Sequence, residues 1–267
     1  MKENVLYEED QYIGKIILNR PEKLNAITIE MYKDVARLVQ NVEQKDSIRV
    51  LMISGAGRAF SAGFDLSSTA PNEVSAFRKH LHDANSSRWA IWNSSKPVIA
   101  KVHGYCLGGA FQIMLCCDFA IASDEATFGE PEVKSAEPTN FPILPWVIGM
   151  RAAKKLAFLG DLISAKEALE LGILNEVVSK GELDKSAMKL ANKLARIPAN
   201  TLRVLKLGLN RGYELRGFKN MIDYSIELAI EHHFSRSEEE IEFGKIVRER
   251  GLKEALVWRE KQFKVGD

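Results

Sequence analysis

The chain has 267 residues, 46% of them hydrophobic, which suffices for a packed core in one large domain or one domain with an appendage. Lys and Arg number 37 against 36 Asp and Glu, a formal net charge of +1. That balance excludes a bulk attraction to nucleic acid or an anionic membrane, and leaves only a local basic site for a small phosphorylated ligand. The three cysteines, Cys106, Cys116 and Cys117, show no spacing with histidines that would hold a metal, so buried free thiols are expected and no metal or other cofactor is. The opening MKENVLYEED lacks an apolar leader core, and no apolar run approaches the length of a membrane span. A cytoplasmic protein with no membrane partner is the expectation.

In chain order, Val5 to Tyr7 and Gly14 to Leu18 read as a hairpin around an acidic turn, Glu8-Glu9-Asp10. A loop spans Asn19 to Ala26. Thr28 suits the N-cap of a helix whose apolar positions are Met31, Val35, Leu38, Val39 and Val42. Val50 to Ile53 is an unbroken apolar strand of the parallel kind, and it runs into a small-residue loop, Ser54 to Leu66. Residues 72–94 read as a polar amphipathic helix carrying Phe77, Leu81, Trp89, Ile91 and Trp92, with His80 and His82 as solvated helix residues. With Ser67 to Pro71 before it, this segment is expected to be the most mobile part of the site.

The stretch His103 to Asp118, HGYCLGGAFQIMLCCD, stands apart. It follows a buried strand, Pro97 to Val102, and its glycine pair opens a helix that is apolar except for Gln112. Glycines at such a helix start leave backbone N–H groups accessible, with the positive end of the helix dipole behind them, which suits an oxyanion. They equally suit a tight turn that only eases packing. Because parallel sheets place ligands beyond the carboxyl ends of their strands, this turn and the Ser54 to Leu66 loop are candidates for one site.

Phe119 to Ala122 is a further short strand, and Pro131 suits the first turn of a helix, which sets Glu132 at that helix's start. From Arg151 the pattern is helix after helix: 151–159, 164–171, 183–196, 199–211, 218–232, 237–250 and 254–263, with one strand at Ile173 to Val178. An α/β amino-terminal part with a mostly helical tail is the architecture this predicts.

Taken together, LNRPEKLNAI, GAGRAFSAGFDL, KPVIAKVHGYCLGGAFQIMLCCD, ATFGEPEV and ALELGILNEVV resemble the enoyl-CoA hydratase/isomerase (crotonase) family, in that family's order. The resemblance implies a crotonase-type spiral of ββα units over residues 1–196 and an all-helical trimerisation region over 197–267. It also implies homo-trimers or hexamers built as dimers of trimers, and an acyl-CoA ligand, so that coenzyme A enters as part of the substrate. The family's two oxyanion-hole amides fall on Phe64 and Gly109. Its adenine pocket maps to backbone around Ala26, Ala62, Asp65 and Leu66, with Lys23 or Arg20 meeting the phosphates. Amides preorganised around a thioester oxygen favour the enolate-like transition state over the ground state, and one such donor is worth roughly 3 kcal/mol.

Of the two glutamates that hydratases of this family use, the second falls on Glu132 and the first on Gln112, which cannot carry a proton at neutral pH. Asn140, eight residues past Glu132, occupies a position where related dienoyl isomerases and dehalogenases place an aspartate. Either Glu137 or Asn140 points into an acyl pocket floored by Phe141, Pro142, Leu144 and Trp146, or Glu137 and Glu130 are solvated and Asn140 caps a helix. The resemblance implies an enzyme that stabilises a thioester enolate, with hydration of a 2-enoyl-CoA to a 3-hydroxyacyl-CoA as the leading reaction. Isomerisation by Glu132 alone is the alternative that Gln112 favours. Decarboxylation, thioester hydrolysis, and a non-catalytic acyl-CoA- or RNA-binding role remain open.

Overall fold

The computed structural model describes residues 3–65 and 70–262. Val5–Asp10 (β1) and Ile13–Leu18 (β2) pair antiparallel, with Glu8 opposite Lys15 and Asp10 opposite Ile13. The acidic run is therefore strand, not turn. On an edge strand the outward positions tolerate charge, Lys15 ties to Asp10 at 2.7 Å, and the turn moves to Gln11 and Tyr12, with Gln11 at φ 54°.

Four parallel strands extend this hairpin: Val50–Gly55 (β3), Val98–Val102 (β4), Phe119–Ser123 (β6) and Glu176–Val178 (β9). A second sheet contains Tyr105–Leu107 (β5), Thr127–Gly129 (β7) and Ile163–Ser164 (β8). Sequence patterning misses β5, which lies between the Pro97 to Val102 strand and the glycine pair and is too short to show a period.

The helices are α1 (Ile29–Glu43), α2 (Val74–Asn93), α3 (Gly109–Cys116), α4 (Leu144–Val147), α5 (Met150–Leu159), α6 (Ala165–Glu170), α7 (Leu183–Ala195), α8 (Ala199–Leu215), α9 (Phe218–Phe234), α10 (Glu238–Arg250) and α11 (Leu252–Gln262). The Thr28 hydroxyl caps α1 by accepting the Met31 N–H, as its residue type predicts. The tail helices α8 and α9 run further than expected, and the Ile173 to Val178 strand shrinks to β9 because Ile173 and Leu174 pack as buried loop residues. Phe263 lies outside the described residues.

The unbroken apolar run of β3 is explained by burial on both faces. Leu51 and Ile53 join Val35, Val39, Phe111, Ile222 and Ile226 in the main core, whereas Val50 and Met52 pack with Ile13, Ile99 and Ile121 under Ala187, Ala191 and Leu194 of α7. The α3 helix threads the main core with all eight residues buried, which is why its sequence shows no polar face. Lys206 of α8 is buried and bonds Asp118 Oδ2 at 2.8 Å, along with the Ile91 and Lys96 carbonyls, so the first tail helix is anchored to the sheet. Beyond that anchor, α8 exposes Val204, Leu205, Leu207, Leu209 and Leu215. Among the described residues, no helix is long and apolar enough to cross a membrane.

Candidate active site

Asn25, wholly buried at φ 55°, holds two loops together: its Nδ2 donates to the Ala56 and Ala59 carbonyls at 2.8 Å each, and its Oδ1 accepts the Arg20 N–H. The Ser61 hydroxyl donates to the Asn25 carbonyl at 2.8 Å and accepts the Gly63 N–H at 3.1 Å. A parallel bridge then joins Ile27 to Phe64: the Ile27 N–H donates to the Gly63 carbonyl and the Asp65 N–H to the Ile27 carbonyl. In that ladder geometry the residue between the two bonds, Phe64, turns its own N–H to the opposite side. The start of α3 lies close to this ladder, since a Cβ on Gly63 would meet the Leu107 carbonyl oxygen at 2.7 Å and Gly108 Cα at 3.7 Å. Gly109 is the first residue of α3, a position whose N–H has no intrahelical acceptor.

The carboxylate arrives from the neighbouring strand. Leu107 of β5 is in register with Gly129 of β7, and the Gly108 N–H donates to the Gly129 carbonyl at 2.8 Å. Past β7, Pro131 opens a short 3-10 turn, Pro131–Ser135, as its position in the sequence predicts. This folds Glu132 back over Gly108, where a Cβ at residue 108 would collide with Glu132 Oε1 and lie 3.0 Å from its Cδ. Glu132 Oε2 is buried and has no hydrogen-bond partner among the described residues. Burial raises its pKa above the usual carboxylate range.

Gln112 is bound into the same cluster. Its Nε2 donates to Glu130 Oε1 at 2.9 Å and to the Thr139 hydroxyl at 2.7 Å. Glu130 is 3% exposed, which corrects the expectation of a solvated side chain. Hydrophobic and positional signals alike are silent for a buried Glu beside a proline; only the Gln112 pairing makes its burial tolerable. Burial, with Glu132 adding repulsion, pushes its pKa up to about 8.

Both carboxyls are raised from an ordinary value of 4.5, so the folded chain keeps protons that the unfolded chain releases. The stability they contribute is full at pH values below that ordinary value and is lost as pH rises through their raised values, about 8 for Glu130. A thermal midpoint that falls from mildly acidic to alkaline pH is expected. Glu130→Gln should flatten the fall, and differential scanning calorimetry across that range is the check.

The remaining expected residues fall in several places. Ala26, Ala62 and Asp65 lie together, since the Ala62 N–H donates to the Leu24 carbonyl and Arg20 Nη1 binds both the Ala26 carbonyl at 2.7 Å and Asp65 Oδ2 at 2.8 Å. Arg20 is thus an internal tie, while Lys23 is exposed. Leu66, and with it Ser67 to Thr69, lies outside the described residues. Glu137 forms an ion pair with Arg236. Asn140 caps no helix, because the next helix, α4, has Ile143, three residues later, at its N-cap. His82 is exposed as expected, but His80 is half-buried between the Phe64 and Phe77 rings, with centroid distances of 5.9 and 6.1 Å. Burial holds its pKa below the usual imidazole value.

Sequence reasoning passed over Tyr32, Arg88 and Thr139. Tyr32 and Arg88 flank Gly109: a Cβ there would collide with the Tyr32 hydroxyl and lie 2.9 Å from Arg88 Nη2. The signal for Arg88 was present in the spacing. Phe77, Leu81, Ala84, Arg88 and Ile91 follow one helical stripe, and all five are buried. A cavity of about 480 Å³ lies between Trp92, Cys116, Lys206 and Tyr213; Trp146, expected in the acyl-pocket floor, lines it, and none of the expected catalytic residues does.

Comparisons with known proteins follow from this geometry. The enoyl-CoA hydratase/isomerase family model matches residues 8–245. The short-chain-enoyl-CoA hydratase of Clostridium acetobutylicum is 33% identical over 215 residues, which is 79% of this chain and 82% of that protein. The crotonyl-CoA hydratase of Syntrophomonas wolfei subsp. wolfei is 31% identical over 225 residues, 79% of this chain and 83% of that one. Among solved structures, an enoyl-CoA hydratase/isomerase from Xanthobacter autotrophicus Py2 superposes with a TM-score of 0.93 at 33% identity, covering 99% of this chain and 100% of that one. This chain has the crotonase fold and belongs to the enoyl-CoA hydratase/isomerase family.

Proposed function

We propose that this chain is an enzyme that adds water across the double bond of a 2-enoyl-CoA. The observation that carries this reading is the buried, unpartnered Glu132 Oε2 beside the start of α3. The thioester oxygen rests between the Phe64 and Gly109 amides, which accept the charge that develops when water attacks C3. Glu132 removes the proton from that water and returns a proton to C2, so that one carboxyl serves both steps. Gln112, both of whose Nε2 hydrogens are engaged, keeps its carbonyl oxygen to orient the water. Coenzyme A is carried by the backbone around Ala26, Ala62, Asp65 and Leu66, with Lys23 near its phosphates and Asn140 at the acyl end. No further cofactor takes part.

Isomerisation is the second reading, favoured by the amide at residue 112 where a carboxylate would assist hydration. There Glu132 moves a proton from C2 of a 3-enoyl-CoA to C4. Mass spectrometry with chromatographic separation of isomers tells the two apart: hydration of crotonyl-CoA gains the mass of one water, and an unchanged crotonyl-CoA alongside conversion of a 3-enoyl-CoA to its 2-enoyl isomer would replace the first reading by the second.

The helical region 197–267 serves oligomerisation in this proposal, in the cytoplasm, where the three thiols stay reduced. Support comes from the exposed apolar residues of α8 together with Tyr224 and Leu228 of α9. Light scattering should give a mass that is a multiple of three 29.9 kDa chains. A monomer or dimer would refute it.

A further inference from the structure

One charged group near the site has no role in the chemistry above. Arg88 sits on the buried stripe of α2 at 3% exposure, with its guanidinium between two aromatic rings, 5.0 Å from the Tyr32 ring centroid and 5.4 Å from that of Phe141. Among the described residues it forms no ion pair within 4.0 Å. Its Nη1 is saturated, donating to the Ala84 carbonyl at 2.7 Å and to Asn85 Oδ1 at 2.5 Å. Nη2 makes a long 3.4 Å contact with the Gly109 carbonyl and also interacts with the Tyr32 hydroxyl, and Nε is buried with no partner among the described residues.

Nε–H is thus unpaired and Nη2–H, parallel to it, is weakly held; these are the two donors with which arginine grips a carboxylate in a fork. A lysine would balance charge near Glu132 as well; a planar fork with one end engaged by the protein and Nε unpaired is suited to a planar anion. The Nη2 end of that edge borders Gly109, whose amide the proposed reaction uses for the thioester oxygen. The Tyr32 hydroxyl borders the same residue, and burial keeps it protonated and able to donate. Burying an unpaired guanidinium is unfavourable, and the cost is recovered when a carboxylate joins it.

We propose that Arg88 selects acyl-CoA substrates whose short acyl chain carries a second carboxylate, bound by the Nε/Nη2 edge. The closeness of that edge to Gly109 places the carboxylate within a few carbons of the thioester. The inference rests on the site reading given above, in that it takes Gly109 to face the thioester, and it names the substrate class of that site.

Isothermal titration of two non-reacting thioesters tests it: glutaryl-CoA, with a carboxylate at C5, and pentanoyl-CoA, of equal chain length without one. The unmodified protein is expected to bind glutaryl-CoA at least tenfold more tightly. Arg88→Gln should remove that preference, and Arg88→Lys, which keeps the charge but loses the fork, should retain part of it. Equal affinity in the unmodified protein overturns the proposal without recourse to any variant, and so does a preference that survives in Arg88→Gln. Hydration of crotonyl-CoA and of glutaconyl-CoA, the 2-enoyl thioester that carries the carboxylate, measured in parallel keeps the two readings apart. Hydration without a glutaryl preference removes Arg88's role alone, whereas the preference without hydration supports Arg88 and removes the reaction.

Discussion

Glu132→Gln is expected to lower turnover of an enoyl-CoA by about three orders of magnitude, in the range that a positioned acid/base group supplies. The substitution preserves shape and removes only the ability to take and return a proton. Its neighbourhood tolerates the change, since Glu132 Oε2 has no partner among the described residues whose bond would be lost. Burial already disfavours charge at this position, so removing the charge should raise stability slightly at alkaline pH. Steady-state kinetics with a parallel thermal melt reads both effects. Turnover that persists within tenfold would remove Glu132 from the chemistry.

Gly108→Ala is expected to cost about a hundredfold in turnover and about 2 kcal/mol in stability, for two separable reasons. The backbone at residue 108 adopts φ 52° and ψ −126°, a region that residues with a Cβ avoid. The added methyl would also collide with Glu132 Oε1, the free end of a flexible side chain. The protein relieves that collision by moving the carboxylate and not the backbone, so the site loses its geometry while the fold persists. Gly63→Ala offers a contrast: there the Cβ would lie 2.7 Å from a backbone oxygen, that of Leu107, which cannot swing aside. Chemical denaturation should rank Gly63→Ala as the less stable variant, and kinetics of the folded Gly108→Ala protein should isolate the displaced carboxylate.

The parts of this molecule that were legible in its sequence are those with a local cause. Thr28 caps α1 because its hydroxyl reaches a nearby N–H, and Pro131 opens its 3-10 turn because its φ is fixed and it has no N–H to satisfy. The burial of α3 on every side follows from a composition with no polar face. What sequence patterning missed depends on partners supplied by another element. Glu130 is buried because Gln112, from another element, donates to it, and the acidic run of β1 extends as strand because Lys15 lies across from it. Arg88 shows the intermediate case: its place in the stripe was legible, but a charged residue reads as solvent-facing until the aromatic rings of Tyr32 and Phe141 are placed around it.

The small sheet has a consequence for how this protein can change. The segment bearing Gly109 and the segment bearing Glu132 leave adjacent parallel strands, β5 and β7, in fixed register, so the two segments start about 4.8 Å apart, a single strand spacing. Arg88 and Phe141, which would wall the acyl side in the proposed reading, belong to neither strand. Catalytic spacing and substrate choice are therefore mechanically separate. A library randomised at the wall positions can be selected for new acyl groups while the ladder between Leu107 and Gly129 holds the reacting centre in place.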